Sequence, residues 1–224
     1  SWLRAPTDWF LVTDQTTLGA MRDWGIPGEK IISTGFPVNP AFSELKPVDP
    51  GDPCKPFRIL YFATAKKPFI RRHGHALLDA SPDVHLTIVM GKNFRLLQSR
   101  ARELKAAYPG RVRLLGWTKK VPQLVTSHHM VVGKAGGATV HEAIAARCPM
   151  LIHHLVPGQE EGNLQLLQQL GAGDLAEDPK DLSAAVSAML ANDAARWRKM
   201  KAALVAHNCS DGAIAASRFI LSHI

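Results

Sequence analysis

A chain of 224 residues with 46% hydrophobic and 21% charged residues can bury the core of one domain or one and a half, which excludes a disordered polymer. No run approaches the roughly 20 apolar residues of a bilayer span, and the start, Ser1-Trp2-Leu3-Arg4, has neither the charged nor the apolar segment of a secretion signal. Lys and Arg exceed Asp and Glu by 27 to 19, a formal +8 that suits phosphorylated ligands, anionic lipid or nucleic acid alike. With no zinc-finger spacing, basic helix or aromatic-plus-basic RNA signature, nucleic acid is not an expected partner. The three cysteines, Cys54, Cys148 and Cys209, share no metal-ligand spacing, and their odd number cannot complete a disulfide framework. A reducing cytoplasm is expected, and a start without Met reads as a piece of a longer protein.

In chain order, residues 8–13 read as a strand, 15–24 as a helix and 30–34 as a second strand, a short βαβ unit. From Gly35 the sequence turns rich in proline (Pro37, Pro40, Pro47, Pro50, Pro53, Pro56), and residues 41–56 read as an interdomain linker, because proline fixes φ and withholds a backbone donor. Apolar strands are then expected at 57–62, 85–90, 112–115, 130–132 and 150–152. Helices are expected at 74–79, 94–108, 121–127, 139–147, 163–170 and 181–191. Near-continuous apolar strands alternating with helices predict an α/β fold, a doubly wound parallel sheet covered on both faces. Two closing helices follow at 194–206 and 211–224, broken at Asn208-Cys209-Ser210. The domain reading is therefore 1–40, a βαβ piece of a preceding domain; 41–56, a linker; 57–206, a ligand-binding domain; and 207–224, a returning helix.

Ligands of such sheets bind beyond the carboxyl ends of the strands. The segment Val131-Val132-Gly133-Lys134-Ala135-Gly136-Gly137-Ala138-Thr139-Val140-His141-Glu142-Ala143 runs from a strand through small residues into a helix. Glycines let the backbone approach a phosphate, the first-turn N–H groups point outward, the helix dipole adds positive potential, and Lys134 offers a full charge. The competing reading makes Gly136-Gly137 a tight turn and Thr139-x-x-Glu142 a capping box. A second segment, Val156-Pro157-Gly158-Gln159-Glu160-Glu161-Gly162-Asn163, sets carboxylates and amides at a strand end, where they suit the hydroxyls of a hexose or ordinary turn chemistry equally.

Two further strand ends carry Gly91-Lys92-Asn93 and Gly116-Trp117-Thr118, and Trp117 reads either as the flank of a nucleobase or as core. The turn Ala63-Thr64-Ala65-Lys66-Lys67-Pro68 lacks the glycines of a dinucleotide fingerprint, and there is no Walker loop and no Gly-x-Ser-x-Gly elbow. The ten histidines, despite the clusters His73-x-His75, His128-His129 and His153-His154, show no zinc spacing, and no Asp-x-Asp pair is present to seat a divalent ion. No metal and no cofactor are expected.

These motifs resemble the galactolipid and glucolipid synthases that glycosylate diacylglycerol and, more distantly, the peptidoglycan N-acetylglucosaminyltransferase. The resemblance runs through Val12-Thr13-Asp14, Gly25-Ile26-Pro27 and Thr34-Gly35-Phe36-Pro37-Val38, and continues to about Asp178. Its most specific pieces are Lys134-Ala135-Gly136-Gly137-Ala138-Thr139, Glu142-Ala143 and Pro157-Gly158-Gln159-Glu160-x-Gly162-Asn163. It implies a GT-B glycosyltransferase, inverting and metal-independent, of which this chain would be the donor-binding half. On that resemblance, backbone near Gly116 and Trp117 would hold uracil, while Gly136, Gly137, Ala138, Thr139 and Lys134 would face the diphosphate. Glu142 would take the ribose hydroxyls, and Gln159, Glu160 and Asn163 would orient the sugar. The partners implied are a UDP-sugar and a lipid or lipid-linked acceptor at the cytoplasmic membrane face, with Lys66-Lys67 and Arg71-Arg72 set against anionic lipid. The general base would belong to the preceding domain, so the chain alone would bind without turnover. Relatives carry a glycine-rich turn where this chain has Ala63-Thr64-Ala65-Lys66-Lys67. A UDP-sugar epimerase, a UDP-binding module without activity and a basic lipid- or nucleic-acid-associating protein remain as alternatives.

Overall fold

The structure is a computed structural model that describes residues 6–64, 67–158, 160–207 and 210–224, with the backbone alone for Lys67. Two compact units emerge, Ser1–Glu44 with Cys209–Ile224, and Leu45–Asn208. In the first, β1 (Phe10–Val12), α1 (Gln15–Asp23) and β2 (Ile31–Ser33) form a βαβ unit whose strands pair in parallel, Phe10 opposite Ile31. Asp14 starts α1 by accepting the Thr17 N–H at 2.7 Å, and Val12, Met21 and Ile31 form the small core. One helical turn, α2 (Ala41–Glu44), forms inside the proline-rich stretch expected to lack regular structure.

The second unit is built on six parallel strands, β3 (Phe57–Phe62), β4 (Val84–Val89), β5 (Val112–Leu115), β6 (Met130–Lys134), β7 (Met150–His154) and β8 (Gly173–Leu175), in the order β5-β4-β3-β6-β7-β8. Between them run α3 (Lys67–Asp79), α4 (Phe94–Ala107), α5 (Val121–Ser127), α6 (Gly137–Ala145) and α7 (Glu161–Gln169), and α8 (Pro179–His207) follows. The helix α9 (Gly212–Leu221) belongs to the first unit. Helix α3 packs on α4 and α8, while α6 packs on α5 and α7, the two groups of a doubly wound sheet. The doubly wound reading stands.

Several boundaries differ from expectation for local reasons. Helix α3 begins seven residues early, because Pro68 in a first turn gives up a donor that has no partner there anyway. Strand β8 was not anticipated: three residues, Gly-Asp-Leu, carry no readable period. Helix α8 contains the expected break, with Asn192, Asp193 and Ala194 at φ of 52°, 55° and 56°. The proposed break at Asn208-Cys209 lies outside the described residues.

Cross-strand register decides what each sheet face buries. Phe57, Ile59 and Tyr61 align with Val84, Leu86 and Ile88, and this face meets α3, α4 and α8 in a core closed by Trp197. The Trp197 indole N–H donates to the His129 carbonyl at 2.7 Å. Residues 45–56 are tied to the same unit: the Val48 N–H donates to Thr126 O (3.2 Å), and His129 Nε2 meets Asp52 Oδ1 (2.9 Å). His129 Nδ1 accepts the Arg58 N–H, so Nε2 carries the proton given to Asp52. Asp52, Cys54 and His129 bring three ligand-type atoms within 4.8 Å of one another, a grouping invisible in the sequence spacing. Arg58, 3.5 Å from Asp52, already supplies the positive charge there, so the group acts as a staple rather than a cation seat.

Two predictions follow from this packing. A Cβ on Gly173 would lie 2.5 Å from the Met150 carbonyl oxygen, so Gly173→Ala must displace backbone; urea unfolding should register a loss of about 2 kcal/mol or more. Burial pushes His73, His128, His129 and His153 down to about 4. Below their ordinary 6.5 the unfolded chain takes up protons that the folded chain refuses, so stability is complete above about pH 6.5 and falls toward pH 4. The slope should approach about 1.4 kcal/mol per pH unit for each histidine, measured as urea midpoints across that range.

Candidate functional site

The strand order reverses direction between β3 and β6, since the chain leaves β3 toward β4 and leaves β6 toward β7. Carboxyl ends at such a point open a crevice between diverging connections. Strand β6 delivers Lys134 there through a register shift at Gly133/Lys134, a bulge that re-aims the side chain. Helix α6 then starts with Gly136 as its N-cap, and no side chain caps it. Thr139 is the third helical residue, not the cap, so the Thr139-x-x-Glu142 capping box does not form. The first-turn amides of Gly137, Ala138 and Thr139 are left for another acceptor.

The segment after β7 meets this terminus. Gly158 adopts φ +76° behind Pro157, closing a turn that returns Glu160 toward β6. Glu160 Oε1 lies 2.9 Å from Lys134 Nζ, and its Oε2 accepts the Val156 N–H at 3.1 Å. Asn163 Nδ2 donates to the Ala135 carbonyl at 2.8 Å. A Cβ on Gly136 or Gly137 would stand 3.7 Å from Glu160 Oε1 or Asn163 Nδ2. Lys134, Gly136, Gly137, Glu160 and Asn163 are thus brought together, with the Lys134 charge already matched by Glu160. Ala138 is exposed and Thr139 half-buried on the same first turn. Gln159 lies outside the described residues, as do Ala65 and Lys66 of the turn after β3.

Glu142 sits one turn further along α6. It is half-buried, makes no hydrogen bond or ion pair among the described residues, and burial pushes its carboxyl above the ordinary range. A carboxylate so placed is costly to the fold and suited to a ligand's hydroxyl donors.

Gly116 and Trp117 lie apart from this group, after β5. With Gly91, Lys92, Phe94 and Arg95 they line a shallow depression of about 600 Å3 at the ends of β4 and β5. Trp117 is 62% exposed, so it is not core, and Lys119 Nζ stands 6.0 Å from its ring. Phe94 Cδ2 would be 3.4 Å from a Cβ on Gly116, an ordinary van der Waals contact, so the Phe94 ring lies beside that backbone. Phe94 and Arg95 were not anticipated as site residues; their position at the start of the helix after β4 is the signal that could have marked them.

No family model matches the chain. It is 26% identical over 201 residues to the processive diacylglycerol beta-glucosyltransferase of Bacillus thuringiensis (strain Al Hakam), covering 86% of this chain and 51% of that protein. To the protein of the same name from Bacillus cereus (strain AH187) it is 27% identical over 211 residues, 91% of this chain and 53% of that one. The chain spans about half the length of the curated relatives it matches. Among solved structures, Anabaena HepE in complex with UDP and glucose superposes with a TM-score of 0.56 at 16% identity, over 97% of this chain and 64% of that one. The UDP-GlcNAc 2-epimerase of Neisseria meningitidis bound to UDP-GlcNAc gives 0.71 at 15% identity, over 96% and 61%. Identities this low speak for the fold alone. The chain is thus homologous to processive diacylglycerol beta-glucosyltransferases over about half their length, and its parallel sheet is the Rossmann-like fold shared by GT-B glycosyltransferases and UDP-GlcNAc 2-epimerases.

Proposed function

We propose that this chain is the donor-binding half of a UDP-sugar-dependent hexosyltransferase that acts, with inversion and without metal, on a lipid or lipid-linked acceptor at the membrane face. The observation that carries the reading is the uncapped start of α6 at the strand-order reversal, with the partnerless Glu142 one turn behind it. The curated relatives support the activity and the acceptor class. Among the described residues no helix is long and apolar enough to cross a membrane, which is compatible with a peripheral enzyme.

In this reading the diphosphate lies on the amides of Gly137, Ala138 and Thr139, where the helix dipole meets the charge that grows as UDP departs. Lys134 leaves Glu160 to share that charge, and Glu160 is released to accept from a sugar hydroxyl, beside Gln159 and the free Oδ1 of Asn163. Glu142 accepts from the ribose hydroxyls. Gly116 and Trp117 flank the uracil; strands about 4.8 Å apart put β5 roughly 15 Å from β6, a distance for an extended nucleotide to bridge. The general base that deprotonates the acceptor comes from the remainder of the full-length protein.

Calorimetric titration should show the chain binding UDP in preference to ADP and GDP. Glu142→Ala should weaken UDP binding about tenfold or more without lowering unfolding stability, since it removes a half-buried carboxylate that has no hydrogen-bond or ion-pair partner among the described residues. Equal binding of the three nucleotides, or an unaffected Glu142→Ala, would remove the donor assignment.

A second reading is a UDP-sugar epimerase, whose fold this sheet shares. A full-length protein containing this segment decides between them. Incubated with a UDP-hexose, a transferase should release UDP only when diacylglycerol is added, whereas an epimerase would change the sugar's NMR spectrum with no acceptor present.

A further inference from the structure

The opposite end of the sheet holds a second concavity that the nucleotide reading does not use. About 560 Å3 in volume, it opens at the amino ends of β3, β4 and β5, and its walls include Lys46, Arg58, His85, Arg111, Arg113 and Thr126. Strand register explains its chemistry. Arg58 stands beside His85 and Thr87 beside Arg113, all on the face turned away from the Phe57-Ile59-Tyr61 core. Further along that face, at β6 and β7, Val131, Met150 and Ile152 are wholly buried; over β4 and β5 polar side chains replace them. Helix α5, only seven residues long, supplies Thr126 and Ser127 to one wall.

Four side chains lining the cavity are permanently cationic and none is a carboxylate. Two of them are fixed in place by backbone carbonyls. Arg111 donates from Nε to Val84 O (3.0 Å) and from Nη2 to Leu78 O (2.6 Å) and Ser81 O (2.7 Å). Arg58 donates from Nε to Ser127 O at 3.1 Å, and Asp52, outside the cavity lining, offsets part of its charge from 3.5 Å. Neither Nη1 is engaged among the described residues, and Lys46 and Arg113 have no ion pair there. Thr126, in the wall, is 4% exposed, and its buried Oγ1 has no hydrogen-bond partner among the described residues. His128 beside it is no competitor, since Nδ1 bonds Leu124 O (2.6 Å) and Nε2 bonds the Thr87 hydroxyl (2.9 Å).

Guanidinium groups held rigid by carbonyls, uncompensated ammonium and guanidinium heads and an orphan hydroxyl together suit a tetrahedral oxyanion. The volume lies within the roughly 300–1,000 Å3 typical of small-ligand sites. We infer that this cavity binds a phosphate ester or diphosphate carrying at least two negative charges. The site shares no residue with the nucleotide crevice and sits about 20 Å from it, the length of a six-residue strand.

Titration of the chain with inorganic pyrophosphate tests the inference. Saturable binding should weaken about tenfold or more in the double variant Lys46→Gln, Arg113→Gln, whose side chains are exposed and whose loss leaves the fold intact by thermal melting. Thr126→Val should weaken it independently, and saturating UDP, which fills the α6 crevice of the proposed function, should leave it unchanged. Co-sedimentation with phosphatidylcholine vesicles, with and without phosphatidate, separates the sources. Phosphatidate-dependent sedimentation lost in the double variant supports a lipid headgroup, and pyrophosphate binding without it supports a soluble ligand. Absence of both kinds of binding overturns the inference, as does binding that survives the double variant or is displaced by UDP.

Discussion

Parallel pairing between β3 and β6 is the constraint from which the rest of the second unit follows. Two strands that run the same way must be joined by crossovers, and crossovers of one hand place helices on both faces. Because β3 continues toward β4 and β6 toward β7, their connections part at the carboxyl edge, where the start of α6 meets the segment after β7. Alternative register would bury Arg58 and His85 in place of Phe57 and Ile59, so the apolar alternation that makes the sheet stable also fixes where its carboxyl edge lies.

That edge was legible in the sequence because its signals are local. The run from Val131 to Ala143 changes from strand to helix through glycines, and each of those residues has a backbone reason to be there. What could not be read is pairing across distance. The Lys134–Glu160 ion pair, the Asn163 bond to Ala135 and the exposure of Trp117 depend on how two turns from different strands meet. Thr139 and Glu142 had the spacing of a capping box, but the helix starts three residues earlier, at Gly136, since glycine serves as an N-cap about as well as threonine. Strand β8 and the first turns of α3 were missed for the complementary reason: three residues are too few to show a period, and proline within a first turn looks like a breaker.

The histidines show the same division. Their clustering in sequence raises a metal hypothesis that their spacing argues against, and once folded the side chains take separate roles. His128 and His129 are adjacent on the chain and bond to different partners, Thr87 and Asp52, while His73 and His153, distant in sequence, meet edge-on with ring centroids 4.8 Å apart near Tyr61 and Phe69. Neither ring nitrogen of His153 has a hydrogen-bond partner among the described residues. Burial of neutral imidazole in this core exchanges acid tolerance for packing.

The pairing of Lys134 with Glu160 has a bearing on selectivity. A lysine already holding its own counterion presents little net attraction to a bare anion, because any newcomer must first part the two. An anion that also brings hydroxyl donors returns to Glu160 what it takes away. Such a site weighs both ends of its ligand at once: inorganic phosphate meets an occupied partner, and a nucleotide lacking its sugar leaves the carboxylate stranded. The internal ion pair then works as a resident competitor, one that only a ligand with charge and hydroxyls at the right separation can displace without loss.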